Sequence, residues 1–428
     1  MDFKPTKYIL ESVLSGKQFK DSGWMLESPG EEGKTLIRAI YENKQLNSVN
    51  DSMGLYKFAD WLPIQRVLKG SSAPVTYRSK GLAKALGLSN LWITFSGYWP
   101  EKGAHMKTCS FKETEAYTVC GRMSPENKEI LVVASAGNTA RSFARVCSDN
   151  GIPLLLCVPE DYIDSLWFDK ELNSSVKLVI SRKGSDYFDA IHLSNIAAQL
   201  PGFVPEGGAK NVARREGMGT TVLSAVTTIG KIPDYYFQAV GSSTGAVSAW
   251  EANLRLIEDG RFGSNKMKLM ISQNYPFIPL KEAWDARSRD MLPMDDDKAR
   301  KDVEEVWAKV LTNRRPVYSI SGGLFDALSD TKGEVLVSTN AEAEEAYELF
   351  EQTEGNDIHS AAAVATATLI QAAKNKTVEK DALIMLNITG GGEGLFASEH
   401  KLHFLQPDLA FDMNPDPDEV KEKIKRLF

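Results

Sequence analysis

Three times along this chain a continuous apolar run ends in a short loop of small or hydroxyl-bearing residues. Ile130-Leu131-Val132-Val133-Ala134 leads into Ser135-Ala136-Gly137-Asn138-Thr139, and Tyr235-Tyr236-Phe237-Gln238-Ala239-Val240 into Gly241-Ser242-Ser243-Thr244-Gly245. Residues 383–388 lead into Thr389-Gly390-Gly391-Gly392. Unbroken apolar runs of this length read as strands buried on both faces. Further strand candidates fall at 91–95, 154–158, 176–180, 267–272 and 334–338, with helical patterns at 79–88, 140–146, 186–199, 300–311, 341–352 and 360–374. Strands alternating with helices of this length imply βαβ units and parallel sheets, an α/β fold.

A chain of 428 residues exceeds one average domain. The pattern divides into two parallel-sheet α/β domains, the smaller (113–228) inserted into the larger (59–112 and 229–428). A small module of β-prone pieces and polar turns precedes them at 1–58. The acidic run 295–297 and the tail 415–427 read as a solvated helix start and a charged surface helix. The net charge of −7 argues against nucleic acid or anionic membrane as a partner. Cys109, Cys120, Cys147 and Cys157 show no CxxC spacing, and the N-terminus lacks the apolar core of a signal peptide. Reduced thiols and the absence of a roughly 20-residue apolar span place the expected protein in the cytoplasm.

A helix opens behind Thr108-Cys109-Ser110 and Lys112 sits in its first turn, where the macrodipole favours anions. Such a lysine is either one that works as a neutral or imine-forming amine, or one whose stem packs while its ammonium reaches water. The Ser135–Thr139 loop lets a backbone approach a ligand and offers amides to a carboxylate, with Asn138 adding a side-chain donor; it also reads as an ordinary turn with Asn as cap. The Gly241–Gly245 loop suits a phosphate, although it is neither a Walker loop nor GxGxxG, and a serine-rich turn is the alternative. A hydroxyl at the strand end, Thr389, can face a neutral heterocyclic nitrogen, or the segment is a plain glycine turn. Lys107, five residues before Lys112, and Arg214 supply cations for a phosphate or are surface charges. His400 and His403 lack a carboxylate or cysteine partner, so no metal is expected, and no GxSxG elbow is present.

The order of these segments, SFK, SAGNT, GSSTG and a terminal TGGG, resembles the fold-type II (tryptophan synthase β-like) pyridoxal-phosphate enzymes, and within them the threonine synthase branch, over about residues 60–395. The resemblance implies that Lys112 carries pyridoxal 5'-phosphate, that Asn138 binds its phenolic oxygen, and that Gly241, Ser242, Ser243, Thr244 and Gly245 hold its phosphate. It places Thr389 at the pyridine nitrogen and the substrate carboxylate on Ser135, Ala136, Gly137 and Thr139. Asn211-x-x-Arg214-x-Glu216-Gly217 matches a motif whose arginine contacts a substrate phosphate, with Lys107 as a second contact. Longer blocks, SNLWITFSGYWPEKGAHMKTCSFKE, VPEGGAKNVARREGMGT and FQAVGSSTGAVSAWEANLRLIEDGRFGS, resemble the cysteate synthase family.

That likeness implies β-replacement on a phospho-amino acid, O-phosphoserine, with sulfite as the small nucleophile, on a route to coenzyme M, by a homodimer. The family's N-terminal CxxCG corresponds here to Ser12-Val13-Leu14-Ser15-Gly16, which removes the candidate metal ligands. Ser243 and Ala246 stand where members carry glycine, and this leaves the nucleophile open. The alternatives are a sister activity with another nucleophile, threonine synthase acting on O-phosphohomoserine, and a cofactor-binding regulatory protein.

Overall fold

Burial on both faces is what the apolar runs demand, and the fold provides it with two sheets flanked by helices. The computed structural model describes residues 3–47, 51–135, 137–182, 184–185 and 187–428, and of Asp51 and Ser52 the backbone alone. The larger sheet has six strands in the order Glu334–Ser338, Lys268–Asn274, Tyr235–Ala239, Ile384–Ile388, Leu91–Phe95 and Val75–Arg78. All neighbours are parallel except the edge strand Val75–Arg78, which is antiparallel to Leu91–Phe95. The smaller sheet is wholly parallel, in the order Phe203–Pro205, Ile130–Ala134, Leu154–Pro159, Val176–Ser181 and Leu409–Phe411. Parallel strands need crossover helices, and these cover both faces. The residues of Ile384–Ile388 are all buried as a result.

Local signals place the helices where the pattern expects them, with two instructive differences. Gly87, in the left-handed conformation, ends the helix Gly81–Leu86 by donating its N–H to the Ala83 and Lys84 carbonyls, as a glycine C-cap does. The expected helix at 300–311 instead spans Asp296–Glu305, because Asp295 caps its start and Val306 turns extended at its end. Beyond it the Asn274 Oδ1 accepts the Ala308 N–H at 3.0 Å, which draws the chain back to the sheet. The C-terminal segment, grouped by its sequence with the larger sheet, joins the smaller one. Leu409–Phe411 pairs with Val176–Ser181, and the Asp408 carboxylate accepts the Leu178 N–H at 2.8 Å. The following helix Pro417–Lys425 is charged outside, yet Val420 and Ile424 are buried in the smaller domain's core. Their i, i+4 spacing is a one-sided apolar face too short to stand out in so charged a tail.

The N-terminal residues form a three-stranded antiparallel sheet, ordered Gln18–Phe19, Tyr8–Ser12, Ile37–Tyr41. Leu10, Leu36, Ile37 and Tyr41 share the main core. In the turn after Tyr8–Ser12 the Ser15 N–H donates to the Ser12 Oγ at 3.3 Å. The hydroxyls of Ser12, Ser28 and Ser15 hold the Glu31 carboxyl below its ordinary pKa. This module is clamped to the body of the protein through Arg215, on the helix Val212–Ile229, and Glu251, on the helix Thr244–Asp259. Its Nε donates to Glu251 at 2.8 Å and its amino groups to the Ala209 and Ile37 carbonyls. Arg38 Nε reaches the same Glu251 at 3.1 Å. Among the described residues no helix is long and apolar enough to cross a membrane.

Removing one member of a buried ion cluster strands the other charge. Arg215→Met is expected to lower stability by about 3 kcal/mol, read as an earlier midpoint in denaturant unfolding.

Candidate active site

Ligands of parallel α/β folds bind beyond the carboxyl ends of the strands. Here the segments after Ala134, Ala239 and Ile388 line one cavity of about 870 Å³ between the two sheets. Lys112, Ser135, Gly137, Asn138, Thr139, Gly241, Ser242, Ser243, Thr244, Gly245, Thr389 and Arg214 all lie on its wall. Ala136 lies outside the described residues.

Lys112 is positioned by backbone bonds, since the Phe111 N–H donates to the Thr389 carbonyl at 2.9 Å and the Gly391 N–H to the Cys109 carbonyl at 3.0 Å. Gly390 must lack a side chain there, because a Cβ would stand 2.8 Å from the Cys109 carbonyl oxygen. Lys112 heads the helix Lys112–Arg122, and its Nζ lies 3.5 Å from Glu115 Oε2 and 4.9 Å from the centre of the Phe111 ring. Burial pushes the ammonium's pKa down; the Glu115 carboxylate opposes this and the Arg214 guanidinium adds to it. Desolvation of this kind shifts an amine toward its reactive neutral form.

Asn138 starts the helix Asn138–Asn150 after Gly137, whose φ is 144°. Its Oδ1 accepts from Arg141 at 2.9 Å, which fixes the amide and leaves Nδ2 turned toward His359, 3.3 Å from Nε2. Burial holds His359 below its usual pKa. Thr389 is nearly buried on the cavity wall. The loop at Gly241–Gly245 precedes the helix Thr244–Asp259, whose first-turn N–H groups have no carbonyl partners of their own. Ser243 sits at φ 68°, and its buried hydroxyl has no hydrogen-bond partner. A Cβ on Gly245 would lie 2.5 Å from Gln238 Nε2. That amide is locked, since Gln238 Oε1 accepts from Asn387 at 3.1 Å and from the Tyr236 hydroxyl. An unpartnered buried hydroxyl beside the first turn of a helix suits a bound phosphate, and Gly245 lets that helix start pack directly on Gln238.

The remaining expectations separate. Lys107 is not on the cavity wall; it pairs with Asp169 at 3.2 Å, which Arg145 also holds. The helix begins only at Lys112, so the five-residue spacing does not put both lysines on one helical face. Arg214 is on the wall, but NH1 donates to Glu206 at 2.6 Å and NH2 to Glu115 at 3.0 Å. Its buried Nε has no partner. Asn211 caps its helix, Glu216 turns away to Arg255, and a Cβ on Gly217 would meet the Thr114 carbonyl at 2.4 Å. Most of that motif therefore builds the contact between two helices.

Sequence reasoning missed Glu115, Glu206, His359 and a basic segment with Lys309, Arg314 and Arg315, all of which bound or organise the cavity. Glu115 was findable as the i+3 neighbour of Lys112; the others arrive from distant segments. Among the described residues the wall holds six basic side chains, Lys112, Lys210, Arg214, Lys309, Arg314 and Arg315, and one acidic side chain, Asp189.

Two parallel α/β sheets with a buried lysine between them fit the family model described as pyridoxal-phosphate dependent enzyme, which matches residues 77–390. Solved structures share this fold. Maize serine racemase superposes with a TM-score of 0.57 at 13% identity over 76% of this chain and 91% of that one. Threonine deaminase isoform 2 from Solanum lycopersicum gives 0.54 at 17% identity, over 76% and 86%. Cysteate synthase of Methanosarcina acetivorans is 47% identical across 96% of this chain and 98% of its own. That of Methanosarcina mazei is 50% identical, across 94% and 96%, and that of Methanospirillum hungatei 43%, across 98% of both. The chain belongs to the cysteate synthase family of pyridoxal-phosphate-dependent enzymes.

Two outcomes follow from this geometry. Gly245→Ala displaces Gln238 and is expected to weaken pyridoxal phosphate binding tenfold or more, measured by absorbance titration of the apoprotein, while circular dichroism stays unchanged. Glu113, next to Lys112, is buried; burial raises its pKa to about 7 against the opposing Thr108 N–H and hydroxyl. A raised folded-state value means a contribution fully present below the unfolded pKa of about 4.5 and lost as pH rises through 7. That loss is on the order of 3 kcal/mol, and Glu113→Gln does not suffer it. The Tm of the variant relative to the parent protein is expected to rise between pH 4.5 and 8.

Proposed function

We propose that this chain replaces the phosphate of O-phospho-L-serine with sulfite to form L-cysteate. The observation that carries this reading is the near full-length likeness to cysteate synthases at 43–50% identity. The cation-rich cavity in a chain of net charge −7 supports it, because substrate, nucleophile and leaving group are all anions and a positive cleft concentrates them.

Bound pyridoxal phosphate supplies an aldehyde for an amine and an electron-withdrawing ring that acidifies the substrate's Cα–H. The Gly241–Gly245 segment, with the first-turn amides of the helix Thr244–Asp259 and the Ser243 hydroxyl, would hold its phosphate, Asn138 would hold its phenolic oxygen, and Thr389 would serve its ring nitrogen. Ser135, Gly137 and Thr139 orient the substrate carboxylate. Lys112, kept deprotonatable by burial, takes the proton from Cα. Arg214, through its free Nε, steadies the phosphate as its oxygen–Cβ bond breaks; the sulfur of sulfite then bonds that carbon and Lys112 returns the proton to Cα. The same reading makes the protein a cytoplasmic homodimer and its product a precursor for coenzyme M.

Mass spectrometry of a reaction with O-phosphoserine and sulfite is expected to find cysteate and inorganic phosphate in equal amounts, with O-phosphohomoserine unconsumed. Phosphate release with no cysteate would overturn the choice of sulfite. Lys112→Ala is expected to lose both the cofactor's visible band as purified and all turnover.

A further inference from the structure

One buried carboxylate stands at the junction of three groups that the proposed reaction uses. Glu115 has no exposed side-chain surface. Its Oε2 lies 3.5 Å from Lys112 Nζ, and its Oε1 accepts the Thr139 hydroxyl at 3.0 Å and Arg214 NH2 at 3.0 Å. Those partners come from three elements: its own helix, the helix of the carboxylate loop, and the helix Val212–Ile229. We propose that Glu115 is the positioning residue of this site, a shared carboxylate that fixes Lys112, Thr139 and Arg214 in one arrangement and sets the proton affinity of the Lys112 nitrogen. The inference rests on the reading of Lys112 as the cofactor-bearing base.

The surroundings make a purely structural role too small for it. A buried carboxylate needs compensation by about one cation, and Arg214, shared between two carboxylates, gives Glu115 only part of one. Glu206 also sits on Arg214, through NH1 at 2.6 Å, so the cluster of Lys112, Arg214, Glu115 and Glu206 is neutral as a whole. Tyr187, on the helix Tyr187–Ala197, also faces the cluster and stays a neutral phenol, since burial raises its pKa and the Arg214 guanidinium only partly opposes this. Glu115 therefore works as a divided charge. Held by Arg214 on one oxygen, it offers the other to Lys112. An opposite charge this close raises an amine's proton affinity, and for Lys112 it acts against the burial that lowers it. The balance leaves the nitrogen able both to accept a proton from a substrate and to give it up.

Glu115→Gln keeps the shape and removes the charge. In the holoenzyme, the pH midpoint of the cofactor's visible band, which reads the proton on the Lys112 nitrogen, is expected to fall by about one to two pH units. Glu206→Gln, which touches Arg214 but not Lys112, is expected to move it less, and Glu115→Asp to give an intermediate midpoint. Turnover number falls in Glu115→Gln while KM for O-phosphoserine changes little. An unchanged midpoint in Glu115→Gln, or equal shifts in the two glutamine variants, overturns the proposal. Where Glu115→Gln does not fold, the Glu115→Asp midpoint decides, and a value equal to that of the parent protein overturns it. The pH dependence of labelling at Lys112 by an amine reagent in the apoprotein, read by mass spectrometry, tests Glu115 independently. A downward shift in labelling without any visible band in the parent protein would uphold Glu115 and sink the cofactor reading instead.

Discussion

The hydrogen bonds from Phe111 to Thr389 and from Gly391 to Cys109 tie the rest of this architecture together. They fasten the segment before the lysine helix to the end of a strand at the heart of the larger sheet. Without them Lys112 would be carried on a loop, free of the sheet that supplies the other walls. The bonds demand close backbone approach, and this is what the run of glycines after Thr389 permits; a Cβ on Gly391 would lie 2.5 Å from the Asp357 carbonyl oxygen. Parallel pairing then sends all remaining strand ends to the same side. A cavity lined by loops from both sheets is the geometric consequence.

Placing cations in that cavity carries a desolvation cost that the structure offsets locally. Lys112 and Arg214 are balanced by Glu115 and Glu206, whose own carboxyl burial raises the Glu206 pKa against the Arg214 guanidinium. On the outer wall Lys210 pairs with Glu27 and Arg314 with Asp296 at 3.7 Å, while Lys309 and Arg315 are exposed and keep that wall positive. An inner neutral cluster and an outer positive rim divide the work. The rim draws anions in, and the cluster holds the reacting groups in place with little net field. This division is compatible with an overall acidic chain because charge on the distant surface is screened within about 10 Å.

The strand-loop-helix pattern showed the fold class because its physical cause is local: runs buried on both faces must be apolar along their whole length. The three loops were legible for the same reason, since a close backbone approach to a ligand or to another chain segment needs small residues. Where the burial pattern was short or mixed with charge, legibility failed. The three-residue strand Leu409–Phe411 and the helix after it carry too few apolar positions to reveal which sheet they join. Spacing alone makes Lys107 a partner of Lys112, and the turn between them, with Cys109 at φ 53°, leaves it on Asp169 instead.

The sequence by itself determined the α/β class, the lysine, and the loops that meet beyond the strand ends, because backbone periodicity and side-chain size act over a few residues. Only the tertiary structure decided which charges face one another. Glu115 meets Arg214 across 99 positions of chain, and Asn138 meets His359 across 221. Electrostatic coupling depends on distance through space and on burial, and neither is encoded in any short stretch of residues. The lysine was therefore visible from its neighbours in the chain, and the environment that tunes it from its neighbours in the fold.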